Sequence, residues 1–187
     1  PLESPLHNPA FLENAGNICA IGERRFGPTR DVDDSLWVTV SNGVGAGLVL
    51  NGRLYEGAFK GAGELGHVKV VDHGAPCPCG GRGCLETYAA APGIVRRYQE
   101  PTGSGESITA LAVSELARSG DAAALQIFRD EGFYLGKAIA GAVNVLNLPM
   151  VVIGGGVSGS FDLFAPSLHK TLEEFLFLVP NRQLRVV

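Results

Sequence analysis

His67, Cys77, Cys79 and Cys84 fall within one short Gly- and Pro-rich stretch, GAGELGHVKVVDHGAPCPCGGRGCLE. One imidazole and three thiols form the donor set of a closed four-coordinate zinc site. Zn2+ takes nitrogen and sulfur ligands in tetrahedral geometry, and a full set leaves no position for water. The expected role of such a zinc is structural. A disulfide is the alternative, but thiols two residues apart are poorly placed to bridge each other, and three in one loop leave one unpaired. The folding argument also favours metal: a loop this rich in Gly and Pro buries little apolar surface, so metal binding must supply the free energy that orders it.

Carboxylates flank the loop, which spans residues 64–86. Glu64 lies just before His67, and Glu86 follows the last cysteine by two positions. Anchored beside a metal, they could accept hydrogen bonds from vicinal hydroxyls. For Glu86 a second reading is equally open, because a carboxylate in the first turn of a helix beginning near Cys84 is favoured by the macrodipole. Two glycine clusters follow the same logic. Gly43, Gly45 and Gly47 sit between strand-like runs, where they suit either a backbone cradle for phosphate or a tight strand connection. Gly154, Gly155 and Gly156 follow a buried apolar run, at a strand-to-helix turn of the kind that holds nucleotides or sugars. The Gly43 cluster is neither a P-loop nor a dinucleotide fingerprint, and at Gly154–Gly156 glycine is also simply what such a turn requires. His7, His73 and His169 lack metal-spaced partners and are expected on the surface or in loops. Cys19 reads as a buried core thiol and Trp37 as packing.

The elements that must position these groups read as α/β. Ala10 to Glu23 suits a turn entering a helix, with Asn14 as its cap. Leu36–Val40, Leu48–Leu50 and Arg53–Tyr55, with an Asn51-Gly52 turn, read as an antiparallel meander. Helices are expected from Cys84 to Arg97 and from Ile108 to Arg118, joined by a connector from Pro101 to Gly105. A long helix should run from Asp121, its N-cap, to Leu146, with Phe128, Leu135, Ile139, Val143 and Leu146 on one face and Pro149 ending it. Met150–Ile153 then reads as a buried strand, Phe161–Phe177 as a helix, and Leu184–Val187 as a strand beginning.

Composition narrows the function. The 187 residues carry a net charge of -4 with only 15 dispersed Lys and Arg, so no basic footprint for a phosphate backbone is present. No apolar run is long enough to span a bilayer, and free cysteines without an export signal point to the cytoplasm. The lack of a starting Met and the apolar final residues suggest a fragment.

Together these stretches resemble the ROK family of bacterial repressors and sugar kinases. The matching elements occur in the family's order: Glu13-Asn14 to Gly22-Glu23, the Gly43 to Gly47 loop, Gly63-Glu64-Leu65-Gly66-His67, Cys77-x-Cys79-Gly80-x-x-Gly83-Cys84-Leu85-Glu86, and Val152 to Ser158. The resemblance implies an actin-like, ribonuclease-H-like ATPase fold, with residues 1–187 as a C-terminal lobe carrying an inserted zinc-binding loop. It implies a sugar or amino sugar held by Asn14, Glu64, His67 and Glu86, with His67 also bound to zinc. In kinase members ATP would lie on the Gly43 and Gly154 loops. Homodimers are implied, and contact with DNA only through an N-terminal domain outside this chain.

Three departures bear on activity. Family kinases carry a catalytic Asp, the general base toward the sugar hydroxyl, where this chain has Ala15. Loss of a positioned base typically costs about 10²- to 10⁴-fold in rate. Asn42 stands where the kinase phosphate loop usually has Thr, and the family's Asp-x-Gly-Gly-Thr motif is absent from these residues. The expectation is a sugar-binding effector domain of a transcriptional regulator, of the N-acetylglucosamine or xylose repressor type, without kinase activity. The alternative is an ATP- and Mg2+-dependent glucokinase or N-acetylhexosamine kinase.

Overall fold

The computed structural model describes residues 12–103, 108–177 and 183–187. His7, Ala10, Ser104 and Gly105, which entered the expectations above, lie outside them. The meander forms as expected. Strands β1 (Ser35–Val40), β2 (Val44–Leu50) and β3 (Arg53–Leu54) pair antiparallel in succession. Asn51 and Gly52 both take positive φ, the conformation a two-residue hairpin turn demands, and the Asp34 carboxylate accepts the Asn51 N–H at 2.8 Å. β4 (Met150–Gly154) pairs parallel to β1, placing Ser35 opposite Met150, and β5 (Arg185–Val186) pairs parallel to β4. The sheet order is β3-β2-β1-β4-β5. All five residues of β4 are buried, which its unbroken apolar sequence requires.

Helix α1 (Ala15–Phe26) packs on the β1–β3 side of this sheet. Asn14 caps it, its side chain accepting the Gly16 N–H at 2.8 Å. Cys19 is only partly buried, because it sits between the sheet-facing Gly16–Ala20 stripe and the exposed Ile18 side. The helix expected from Cys84 to Arg97 is two helices, α2 (Leu85–Ala89) and α3 (Ala91–Thr102). Pro92 has no N–H to continue the ladder, and Ala90 takes an extended conformation at the break. The Ala91 N–H then bonds the Ser41 carbonyl at 2.8 Å. Pro101, expected in a connector, instead lies in the last turn of α3, where a missing N–H forfeits one bond; Gly103 at φ +67 ends the helix.

Thr109 caps α4 (Ala110–Arg118), and Asp121 caps α5 (Ala122–Leu146) by accepting the Ala124 N–H at 2.8 Å. Asn147 in the left-handed region ends α5, two residues before Pro149. Phe128, Leu135, Ile139 and Val143 are buried as expected, whereas Leu146, at the end of the helix, is partly exposed. α6 (Phe161–Phe175) lies close against α5, and a Cβ at Gly132 would overlap the Phe164 carbonyl. Beneath α2, Arg97 reaches the buried Glu131 at 3.0 Å and the Tyr88 carbonyl at 3.0 Å, joining α2, α3 and α5.

Candidate functional site

β2 is the platform on which the expected site residues converge. A Cβ at Gly16 would overlap the Ala46 carbonyl, and so would one at Gly63, so the start of α1 and the Glu64 turn both approach the middle of β2. Gly66 abuts the Val44 carbonyl in the same way. The Val44 N–H donates to Glu86 Oε2 at 3.0 Å. Asn14, Glu64 with His67, and Glu86 are therefore carried by three segments anchored to Val44–Gly47. Ala15 is the first residue of α1, next to the capping Asn14.

Of the three alternating glycines, for which the sequence leaves both a phosphate cradle and a tight strand connection open, two belong to a strand. Gly45 and Gly47 lie inside β2, which begins at Val44, leaving Gly43 in the turn between β1 and β2. Gly47 serves packing: a Cβ there would overlap the Gly16 carbonyl and crowd Ala20 of α1. Gly154 is likewise the last residue of β4, seated under the Trp37 indole, and the turn falls on Gly155, at φ +95, and Gly156. The β1–β2 turn and the Gly156–Ser160 3-10 turn do face each other. Ser41, Asn42, Ile94, Phe128, Gly156 and Val157 help line one cavity of about 260 Å3. Arg118 fixes its rim by donating to the Gly159 carbonyl at 3.0 Å and to Asp162 at 2.8 Å.

The four metal-type residues meet. Gly80 and Gly83, both at positive φ, turn the segment back on itself, so that Cys77 N–H bonds the Gly81 carbonyl at 2.8 Å and Leu85 N–H bonds the Val68 carbonyl at 2.9 Å. The four donor atoms lie within 4.8 Å of one another. Cys79 and Cys84 sulfurs are 3.7 Å apart, and Cys77 Sγ is 3.8 Å from His67 Nδ1. Zn–S bonds of about 2.3 Å in a tetrahedron give edges of about 3.8 Å, so donor types and spacing fit a zinc ion. This cluster could hold a metal. Burial opposes ionisation of Cys77, but the Cys79 backbone N–H and the neighbouring thiols hold its pKa down to about 6. Burial pushes the Cys84 thiol up, and the Lys69 amine partly offsets it.

His67 is two-sided. Its Nδ1 faces the cysteines, and its Nε2 lies 3.8 Å from Glu64 Oε2. Two neighbours were missed in the sequence. Lys69 Nζ donates to Cys84 Sγ at 2.8 Å, a contact visible only once Lys69 and Cys84 are known to pair across the hairpin. Glu13 accepts from Asn17 Nδ2 at 2.9 Å and from the Asn14 N–H at 2.8 Å, and those bonds hold its carboxyl below the usual range. His73 and His169 are exposed, as expected.

The model of the ROK family matches residues 1–187. The chain belongs to the ROK family. Its ROK relatives include both regulators and sugar kinases. It is 38% identical to a glucokinase of Halalkalibacterium halodurans, an alignment that covers 93% of this chain and 57% of that protein. The crystal structure of a ROK family transcriptional regulator, a homolog of the Escherichia coli MLC protein, superposes with a TM-score of 0.89 at 31% identity, over 100% of this chain and 49% of that one. A ROK family glucokinase from Streptomyces griseus, in complex with glucose and AMPPNP, superposes with a TM-score of 0.85 at 31% identity, over 94% of this chain and 61% of that one. The mixed sheet and these neighbours establish the α/β kinase-like fold. The chain spans about half the length of the curated relatives it matches. Among the described residues no helix is long and apolar enough to cross a membrane.

Proposed function

We propose that this chain is the sugar-binding effector portion of a ROK-type transcriptional regulator and does not phosphorylate its ligand. Ala15 carries the reading. It occupies the first position of α1, beside the capping Asn14, where the family's kinases place their general base. Asn14, Glu64, His67 and Glu86 would hold the hydroxyls of a sugar or amino sugar. His67 Nδ1, Cys77, Cys79 and Cys84 would hold a structural zinc, and the Nε2–H of His67, on the Glu64 side, would be left for the sugar. The chain corresponds on this reading to a C-terminal lobe, with DNA contacted by a domain N-terminal to it, in a cytoplasmic homodimer. Sugar binding would act by its different affinity for two arrangements of the whole protein.

The test is calorimetric titration of the zinc-loaded protein with common hexoses and N-acetylhexosamines, run beside an assay for sugar-dependent ADP release. Binding without ADP release is expected. A protein that binds none of these sugars while holding zinc would refute the sensor reading.

A second reading, ATP-dependent sugar kinase, is favoured by the cavity between Asn42 and Gly156, which would receive a nucleotide. Backbone amides there and Mg2+ would stabilise charge on the transferred phosphoryl group. Sugar-dependent ADP release from the unaltered protein would establish this reading and overturn the first.

A further inference from the structure

We propose that Lys69 is the charge-balancing partner of the metal centre: its ammonium, hydrogen-bonded to Cys84 Sγ, cancels the negative charge that three thiolates leave on a bound zinc ion. The inference rests on the zinc reading of the four donors. Three thiolates and a neutral imidazole around Zn2+ carry one net negative charge, and part of it resides on Cys84, which has no solvent exposure. A buried charge must be paired or it is costly. Lys69 is built to pair it. The residue stands directly opposite Cys84 in an antiparallel bridge, so their side chains share a face, and Nζ comes within 2.8 Å of Sγ. Among the described residues no ion pair joins Lys69 to a carboxylate.

Gly81 makes the room. A Cβ at this position would overlap Lys69 Nζ and stand 3.4 Å from Cys79 Sγ. Its φ is not in the left-handed region, so backbone conformation does not require glycine there. The absent side chain is explained by the ammonium seated in its place. Lys69 is not a ligand; it acts on the centre by setting its ammonium against the Cys84 sulfur from outside the donor set.

The test uses the full chain stripped of metal and titrated with Zn2+ against a chromophoric chelator. Partners that support metal ligands from behind typically contribute about 10- to 100-fold in affinity, and a loss of that size is expected for Lys69→Met. Lys69→Gln, which can still donate a hydrogen bond but carries no charge, should fall between. Gly81→Ala leaves Lys69 in the chain but fills its seat, and should weaken zinc in the same direction. In the Co2+-substituted protein the thiolate-to-cobalt charge-transfer band should shift in Lys69→Met. Zinc affinity and cobalt spectrum indistinguishable from the unaltered protein in Lys69→Met would overturn the proposal. An unaltered protein that takes up no zinc would overturn the zinc reading itself, and is told apart by the absence of stoichiometric metal before any variant is made.

Discussion

Glu86 Oε2 accepts the Val44 backbone N–H at 3.0 Å, tying the first turn of α2 to the first residue of β2. The sequence left this carboxylate between a helix-end role and a hydroxyl-binding one. It spends one oxygen on the strand, which fixes its orientation, and the proposed sugar would meet the other.

Gly43 bears on that orientation. A Cβ there would stand 2.8 Å from Glu86 Oε2, so Gly43→Ala must push the carboxylate aside. Hydrogen bonds to charged groups contribute about 1.5–3 kcal/mol, and sugar affinity should drop about 10-fold or more. Calorimetry should show the drop with zinc content unchanged; unaltered sugar affinity would remove Glu86 from the proposed site.

Metal removal should loosen one region. Residues 68–85 are shaped by a few backbone bonds and positive-φ glycines, and of their aliphatic side chains only Val70 and Leu85, near the two ends, are fully buried. Chelation, or Cys79→Ser, is expected to speed amide exchange across this segment and to lower the melting temperature, while the β1 and β4 amides stay protected. Exchange read by mass spectrometry checks it. A loop equally protected with and without metal would contradict the zinc reading.

Arg97 and Glu131 should make stability depend on pH in a defined sense. Complete burial pushes the Glu131 carboxyl well up, with Arg97 opposing. A folded-state pKa above the unfolded one gives stability that is fully present below the unfolded value and lost as pH rises through the folded value. Glu131→Gln should flatten that decline. Arg97→Met strands the carboxylate and should cost about 3–5 kcal/mol near neutral pH, and less in acid, where the protonated carboxyl needs no counterion. Urea melts at two pH values decide it; a penalty independent of pH would show that Arg97 acts through packing alone.

Gly47→Ala should report on the start of α1. Its Cβ would press on the Gly16 carbonyl and on Ala20, and overpacking of this kind costs about 1–3 kcal/mol. Moving α1 moves Asn14, so sugar affinity should fall together with stability. A variant that loses stability but keeps sugar affinity would detach Asn14 from the binding site.

Much of this was legible where the signal was local. Asn51-Gly52 dictated its hairpin, Asp121 and Asn14 their caps, and the spacing of Cys77, Cys79 and Cys84 the donor cluster. What escaped depended on partners distant in sequence. Three alternating glycines looked like one loop, but Gly47 is glycine because a helix crosses it, a demand that appears only when α1 and β2 are stacked. The break at Ala90 followed from Pro92, whose missing N–H outweighed a continuous helical pattern. The cavity beside Asn42 gathers walls from several elements, and no window of sequence contains it. Lys69 looked like one more surface lysine until the hairpin register set it across from Cys84.

The parallel pairing of β1 with β4 has a consequence for how the chain folds. Leu36 and Val38 lie on a strand that can join β2 and β3 at once, but its other edge waits for Val151 and Ile153, which come only after α2 to α5 in the chain. Contacts so distant in sequence are slow to form, because loop closure precedes any gain from pairing. During synthesis the meander would emerge with one apolar edge uncovered, and that edge is the place where a nascent chain of this kind is most exposed to pairing with the wrong strand.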